Sequence, residues 1–432
     1  MYKRIEQCRI CGNQDLKSVI NLGEQALTGR FPLPTDPDPS RGPLELVACS
    51  GTDPSQHCGL LQLSCSYELS EMYGPLYGYR SSLSQTMVRH LSDIVEEALA
   101  VAQPSAEDTV LDIGCNDGTL LKFYDGLDLR RIGIDPSSAR FASSYPDDIE
   151  LIVDFFSADR LKRGDADLRF KIITSIAMFY DIENPLSFMR EIRSLLAPDG
   201  VWFSEQAYAL SMIQNLAFDS ICHEHITYYN LRQIEWLTAR AGLKLLDVSL
   251  NDSNGASFRI AACRDDAPLS PNRSHIDAVL ASEARFAEGR ALANFSTAVE
   301  ERCEHIKEFI HEVQARGKTI FGYGASTKGN VVLQHCGLST TELPFIAEKH
   351  PGKYGRVTPA TRIPIISEAD ARAKKPDYFL VLPWHFRGEI VRRESRFMQQ
   401  GGALVFPLPT FEVVEQETQE AYPATAQDRK IA

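Results

Sequence analysis

Apolar residues run unbroken in short stretches through the middle of the chain and recur at spaced intervals between those stretches. "DTVLDIG", "RRIGID", "ELIVDFF", "FKIITSIAMF" and "VWFSEQ" predict strands buried on both faces. "GTLLKFYDGL", "PLSFMREIRSLLAP" and "LRQIEWLTARAG" place apolar positions three and four apart and predict helices, the last closed by Gly242 in a left-handed cap. "LKLLDVSL" and "ASFRIAAC", joined by "NDSNG", predict an antiparallel hairpin. The whole reads as an α/β chain with a doubly wound sheet ending in a hairpin.

On either side the pattern changes. The first sixty-odd residues hold Cys, Pro and Gly with only short strand-like pieces, a module too poor in apolar residues to fold without a staple. After the linker "RDDAPLSPNRS", residues 275 to 316 predict two bridging helices, and a second Rossmann-like α/β unit runs from "KTIFGYGASTKGN" to "GALVFPLP". The expected division is 1–66, 67–265 and 275–412, with a polar, frayed tail over 413–432.

Composition narrows the classes. A length of 432 residues predicts two or three domains. The net charge of −13 argues against nucleic-acid binding, which needs a basic stripe. The start shows no signal-peptide pattern, and no stretch reaches the roughly 18 apolar residues of a membrane span, so the expected location is the cytoplasm, without a membrane partner. Ten cysteines there are expected as thiols or metal ligands. Cys8-x2-Cys11-Gly12, Cys49 and Cys58-Gly59 have the character of knuckles around a structural zinc. The gap between Cys49 and Cys58 is irregular, which keeps His57 and Cys65 open as substitute ligands.

In "VLDIGCNDGTLL" a strand carrying Asp112 ends at Gly114, turns through Asn116 and Asp117, and opens a helix at Gly118. Such a turn lets a ligand approach the backbone. A carboxylate at Asp117 suits a positive amino or sulfonium group better than a pyrophosphate. Asp135 ends the next strand, where an acid takes ribose hydroxyls, and Asp154 with Phe155 ends a third, flanking an adenine. Together these resemble a class I S-adenosylmethionine methyltransferase.

"CHEHITYYN" sets His223 two residues from His225, on one side of a strand or nearly opposite sides of a helix, unlike the four-residue spacing of a zinc protease. The cysteine module, "VLDIGCNDGTLL", "FDSICHEHITYYN", "FGYGASTKGN" and "YGRVTPATRIPI" occur in the order found in the nucleotide-sugar C-methyltransferases, the type acting on mycarose and kijanose, and the chain resembles that family over nearly its whole length. The resemblance implies methylation, from S-adenosylmethionine, of the carbon beside the ketone of a dTDP-linked 4-keto-deoxysugar. It implies His225 as general base and Glu224 as its orienter or a sugar-hydroxyl ligand; a histidine held by a carboxylate has a suitable pKa. Cys222 stands where relatives carry a tyrosine, leaving Tyr79, Tyr228 and Tyr229 as candidates for proton donor or enolate stabiliser. A family histidine is likewise replaced near Tyr180 and Asp181.

Tyr79 and Ser81 are substrate-side candidates by resemblance, as are Gly324, Ser326, Lys328 and Asn330 of the second glycine turn, with Lys353, Arg356, Trp384 and His385 beyond. A second dinucleotide site is disfavoured because only Glu348 offers itself as the ribose acid. The rival functions are an O- or N-methyltransferase, a metal-dependent hydrolase or isomerase built on His223 and His225, and a non-catalytic nucleotide-sugar binder. The expected assembly is a monomer or weak homo-oligomer.

Overall fold

Strands with apolar residues on both faces need cover on both, and the computed structural model supplies it. It describes residues 2–51, 57–72, 80–287 and 290–416. Tyr79 and most of the expected polar tail fall outside the described residues.

The chain divides into two units. The first comprises Met1–Glu24, Gly42–Gln214 and Ile221–Ser296, and the second Gln25–Arg41, Asn215–Ser220 and Thr297–Ala432. In the first, a seven-stranded sheet runs in the order Leu243–Asn251, Ser257–Arg264, Leu196–Ala207, Phe170–Ile176, Thr109–Ile113, Arg130–Ile134, Ile149–Ile152. The last five pair in parallel and the hairpin joins antiparallel. Successive residues serve opposite faces: Leu111 and Ile173 pack with the helices Pro185–Leu195 and Leu231–Ala241, while Val110 and Ile172 pack with the helix Gln85–Ala102. The strand order reverses at Thr109–Ile113, and ligands of open α/β sheets bind at such a switch point.

The cysteine module is not a separate body. Strand Thr227–Tyr228 pairs with Leu61–Leu63, completing a sheet with Arg41–Cys49 and Leu16–Ala26. Cys8, Cys49 and Cys58 share one apolar core with Leu60, Tyr229 and Leu231. The expected boundary at residue 66 therefore does not separate two cores.

Helix Arg273–Ala287 belongs to the first unit, where its Glu283 accepts from the amides of Leu231 and Arg232, at 2.6 and 3.0 Å, and from the Tyr208 hydroxyl at 2.9 Å. A buried carboxylate capping the first turn of Leu231–Ala241 ties that helix to this unit.

The second unit has a six-stranded sheet ordered Ile365–Ser367, Ile346–Glu348, Ile320–Tyr323, Tyr378–Val381, Ala403–Phe406, Glu412–Val414, parallel except at the last strand. The segment Gln25–Arg41 folds with it: Asn330 Nδ2 donates to the Thr28 carbonyl at 2.6 Å, Arg356 Nη1 to Phe31 at 2.9 Å, and the Val357 amide to Pro32 at 3.0 Å.

Candidate active site

At the switch point the strand Thr109–Ile113 ends in Gly114, whose φ of +78° an L side chain rarely adopts. Gly118, at φ +74°, has a second constraint, since a Cβ there would lie 2.7 Å from the Tyr145 ring. The tyrosine hydroxyl donates to the Asn116 carbonyl at 2.9 Å and backs the turn. The helix that follows is shorter than its apolar pattern suggests, only Thr119–Lys122. Its dipole is correspondingly small.

Asp135 occupies the end of the adjacent strand and accepts from the amides of Asn116, at 2.9 Å, and Ser137, at 2.6 Å. These bonds hold a carboxylate beside the turn, where ribose hydroxyls fit. Asp112 is fully buried beneath it; desolvation pushes its carboxyl up to about 7, partly countered by the Thr174 hydroxyl at 2.7 Å. Asp154 and Phe155 follow the third strand. Asp154 pairs with Arg160 at 3.2 Å, and the Phe155 ring is 46% exposed, open to stack on a ligand.

The Asp117 carboxylate takes the Arg80 guanidinium at 3.1 Å, the Ser82 amide at 3.2 Å and the Thr119 hydroxyl at 2.6 Å. Burial pushes its pKa up, but hydrogen bonds from Ser82, Thr119 and Arg80 outweigh burial and hold it below the ordinary value. The Ser81 amide donates to Asn116 Oδ1 at 3.0 Å. Arg80 was invisible as a site residue because its partner lies 37 positions on.

The "CHEHITYYN" stretch is neither strand nor helix at its histidines. His223 and Glu224 form a turn closed by the His225 amide on the Cys222 carbonyl at 3.1 Å. The turn sends the two imidazoles to different places. His223 is completely buried, edge-on to Tyr67 at 4.7 Å between ring centres. His225 is half-buried, 4.2 Å from the Tyr180 ring. The next residues are pinned to the loop after strand Phe170–Ile176: the Ile226 amide and the Thr227 hydroxyl both donate to the Tyr180 carbonyl, at 3.1 and 2.9 Å. Thus the turn ties the His225 backbone to the strand end neighbouring the glycine turn. Glu224, Cys222 and the proton-donor candidates Tyr228 and Tyr229 are buried, and burial raises both phenols.

Cys8, Cys11, Cys49 and Cys58 converge with all four sulfurs within 4.8 Å of one another. The Cys8–Cys58 and Cys11–Cys49 separations are each 3.5 Å, close to the roughly 3.8 Å edge of a tetrahedron with Zn–S bonds near 2.3 Å. Four thiolates close the coordination sphere, so the set fits a structural zinc and offers no position to a substrate. Asn13 Nδ2 donates to the Cys49 sulfur at 3.4 Å, an outer-shell bond of the usual kind. Neither His57 nor Cys65 joins the cluster. Among the described residues no ligating cluster includes His223 or His225, which removes the basis for the metal-dependent hydrolase reading.

The second unit repeats the construction of the first. Gly324 turns at φ +84°, the Ala325 amide donates to Glu348 Oε2 at 2.7 Å, and the His350 amide to Oε1 at 2.7 Å. Glu348 therefore stands to Ala325 as Asp135 stands to Asn116. The two acids lie 23 and 19 residues beyond the amides they accept from. Lys353 Nζ donates to the Ala325 carbonyl at 2.7 Å, where Tyr145 backs the first turn. Ser326 caps the helix Thr327–His335 through the Gly329 amide at 3.0 Å. Lys328 acts electrostatically on the buried Asp219 and His385. Burial raises the carboxyl and Lys328 lowers it, whereas burial and Lys328 both lower the imidazole. Trp384 Nε1 donates to Asp219 at 2.8 Å. Asn330 and Arg356 hold the 25–41 segment.

Family models match the chain in three consecutive blocks: a zinc binding domain over residues 8–73, a methyltransferase domain over 83–248 and a C-methyltransferase C-terminal domain over 252–409. The chain is 30% identical to the C-methyltransferase NovU of Streptomyces niveus over 428 residues, covering 96% of this chain and 98% of that one. Among solved structures, an S-adenosylmethionine-dependent methyltransferase of Clostridium acetobutylicum matches 41% of this chain and 92% of its own at 14% identity and a TM-score of 0.31. The CcbJ methyltransferase of Streptomyces caelestis matches 40% and 90% at 14% identity and a TM-score of 0.31. No helix among the described residues is long and apolar enough to cross a membrane.

Proposed function

The chain belongs to the C-methyltransferase family, S-adenosylmethionine-dependent and zinc-binding, and on that premise we propose that it methylates the carbon beside the ketone of a nucleotide-linked 4-keto-deoxysugar. The observation that carries this reading is the half-buried His225 imidazole on a turn bonded to the strand end beside the glycine turn. A ketone acidifies the hydrogen on its neighbouring carbon. His225 takes that proton, leaving an enolate whose carbon is nucleophilic, and Glu224 keeps the turn's charge suited to the imidazolium that results. When bound, S-adenosylmethionine supplies an electrophilic methyl group. Asp135 receives its ribose hydroxyls and Phe155 flanks its adenine, while the zinc thiolates keep a structural role.

Within the second unit, Glu348 suits a sugar hydroxyl, and Lys328 with the amides around Ser326 suits phosphate. The test offers the protein labelled cofactor with a panel of dTDP- and GDP-linked 4-keto sugars and locates the label, then follows deuterium wash-in at the sugar carbon without cofactor. Label on carbon and wash-in that His225→Gln abolishes are expected. Label on oxygen, or wash-in that survives His225→Gln, rejects the proposal.

A further inference from the structure

We infer that Arg9, inside the zinc knuckle, is a positioning residue for the turn that carries His225. The inference builds on the reading of His225 as base but is tested separately from it. Arg9 stands between two of the four cysteines, and its backbone is fixed by the knuckle: the Cys8 amide donates to Asn13 at 2.8 Å, the Gly12 amide to Cys8 at 3.0 Å and its own amide to Gln62 Oε1 at 3.1 Å. Its side chain is only 3% exposed. The guanidinium fans out over the strand that pairs with Thr227–Tyr228. Nη1 donates to the Leu63 carbonyl at 2.7 Å and the Ile226 carbonyl at 3.4 Å, and Nη2 to the Cys65 carbonyl at 3.2 Å and Ser66 Oγ at 2.8 Å.

Ile226 directly follows His225, and its residue is gripped on both sides. Its amide reaches the Tyr180 carbonyl at 3.1 Å, while its carbonyl receives the Leu63 amide at 2.9 Å as well as Arg9. The first grip belongs to the methyltransferase sheet and the second to the zinc knuckle. Arg9 is thus the route by which four thiolates, which touch no substrate, set the backbone of the turn. A lysine cannot replace it: one ammonium lacks the planar fork that meets three carbonyls and a hydroxyl together.

The test compares Arg9→Lys and Ser66→Ala with the parent as zinc-loaded full chains, measuring zinc content, S-adenosylhomocysteine affinity, amide exchange over residues 222–230, and turnover on the labelled keto sugar. Arg9→Lys is expected to keep one zinc and its S-adenosylhomocysteine affinity, speed exchange at Ile226 and Thr227, and lower kcat roughly a hundredfold with little change in KM. Ser66→Ala, which removes one acceptor, should move the same readouts less and decides the matter if Arg9→Lys does not fold. Unchanged exchange at 222–230 in a folded variant overturns the inference, and so does a loss of turnover that zinc reconstitution restores. Faster exchange with full turnover also overturns the inference, while the base itself is decided by His225→Gln.

Discussion

Asp112 gives the sharpest quantitative test of the cofactor turn. It is fully buried, and desolvation raises its carboxyl from 3.8 to about 7. The folded chain therefore holds a proton there that the unfolded chain has already released. A group with a raised folded pKa contributes stability that is complete below its unfolded value and is lost as pH rises through its folded value. The interval is roughly three units, and at about 1.4 kcal/mol per unit the ionised group costs the folded state at most about 4 kcal/mol above pH 7. Asp112→Asn keeps an oxygen for the Thr174 hydroxyl, 2.7 Å away in the parent, and carries no charge at any pH. Thermal unfolding of parent and variant from pH 5.5 to 8.5 isolates the effect, because every other titration is common to both. The stability of the variant relative to the parent should rise by about 2 kcal/mol between pH 5.5 and 7, then level off. A difference that stays constant across the range would show that Asp112 does not titrate there, and the buried-proton reasoning would fail.

Three further outcomes are expected. Gly118→Ala meets both the φ penalty and the Tyr145 ring 2.7 Å away, and should cost about 2 kcal/mol and weaken S-adenosylhomocysteine binding tenfold or more by calorimetry. Gly126→Ala, at φ +76° with nothing within 4 Å, should show only the smaller backbone cost. Glu283→Ala strips the cap from Leu231–Ala241 and should lower stability by about 3 kcal/mol in denaturant titrations, with zinc content unchanged. Chelation should remove one zinc per chain and lower the unfolding temperature, whereas cadmium in its place should support turnover; activity lost on an intact cadmium-loaded fold would contradict a structural metal.

Much of this was readable along the chain. Buried parallel strands announce themselves as unbroken apolar runs, and a thiolate knuckle needs its cysteines at close spacing, so the sheet and the Cys8-x2-Cys11 pair followed from local pattern, whereas the choice of Cys49 and Cys58 over His57 and Cys65 did not. What depended on partners far away did not. No rule of spacing separates His223 from His225; the turn between them and the Tyr67 ring decide which imidazole is buried. Asp117 read as a ligand group because nothing near it in sequence reveals the Arg80 guanidinium. Glu348 was the one acid its stretch offered, and nothing near it in sequence reveals the Ala325 and His350 amides that it accepts from. The helix Arg273–Ala287 read as a bridging element, and the burial of Ile276 and Val279 in the first unit's core, with the Glu283 contacts, assigns it there.

The segment Gln25–Arg41 has a consequence for how the protein is made. It leaves the ribosome early, yet the side chain that holds the Thr28 carbonyl comes 302 residues later, so the second unit cannot be finished until nearly all of the chain has been synthesised. A recombinant fragment started at the linker would lack an integral piece of its own fold. Supplying residues 25–41 as a separate peptide should restore only part of what such a fragment loses, because Asn215–Ser220, with the Asp219 that accepts from Trp384, is missing as well.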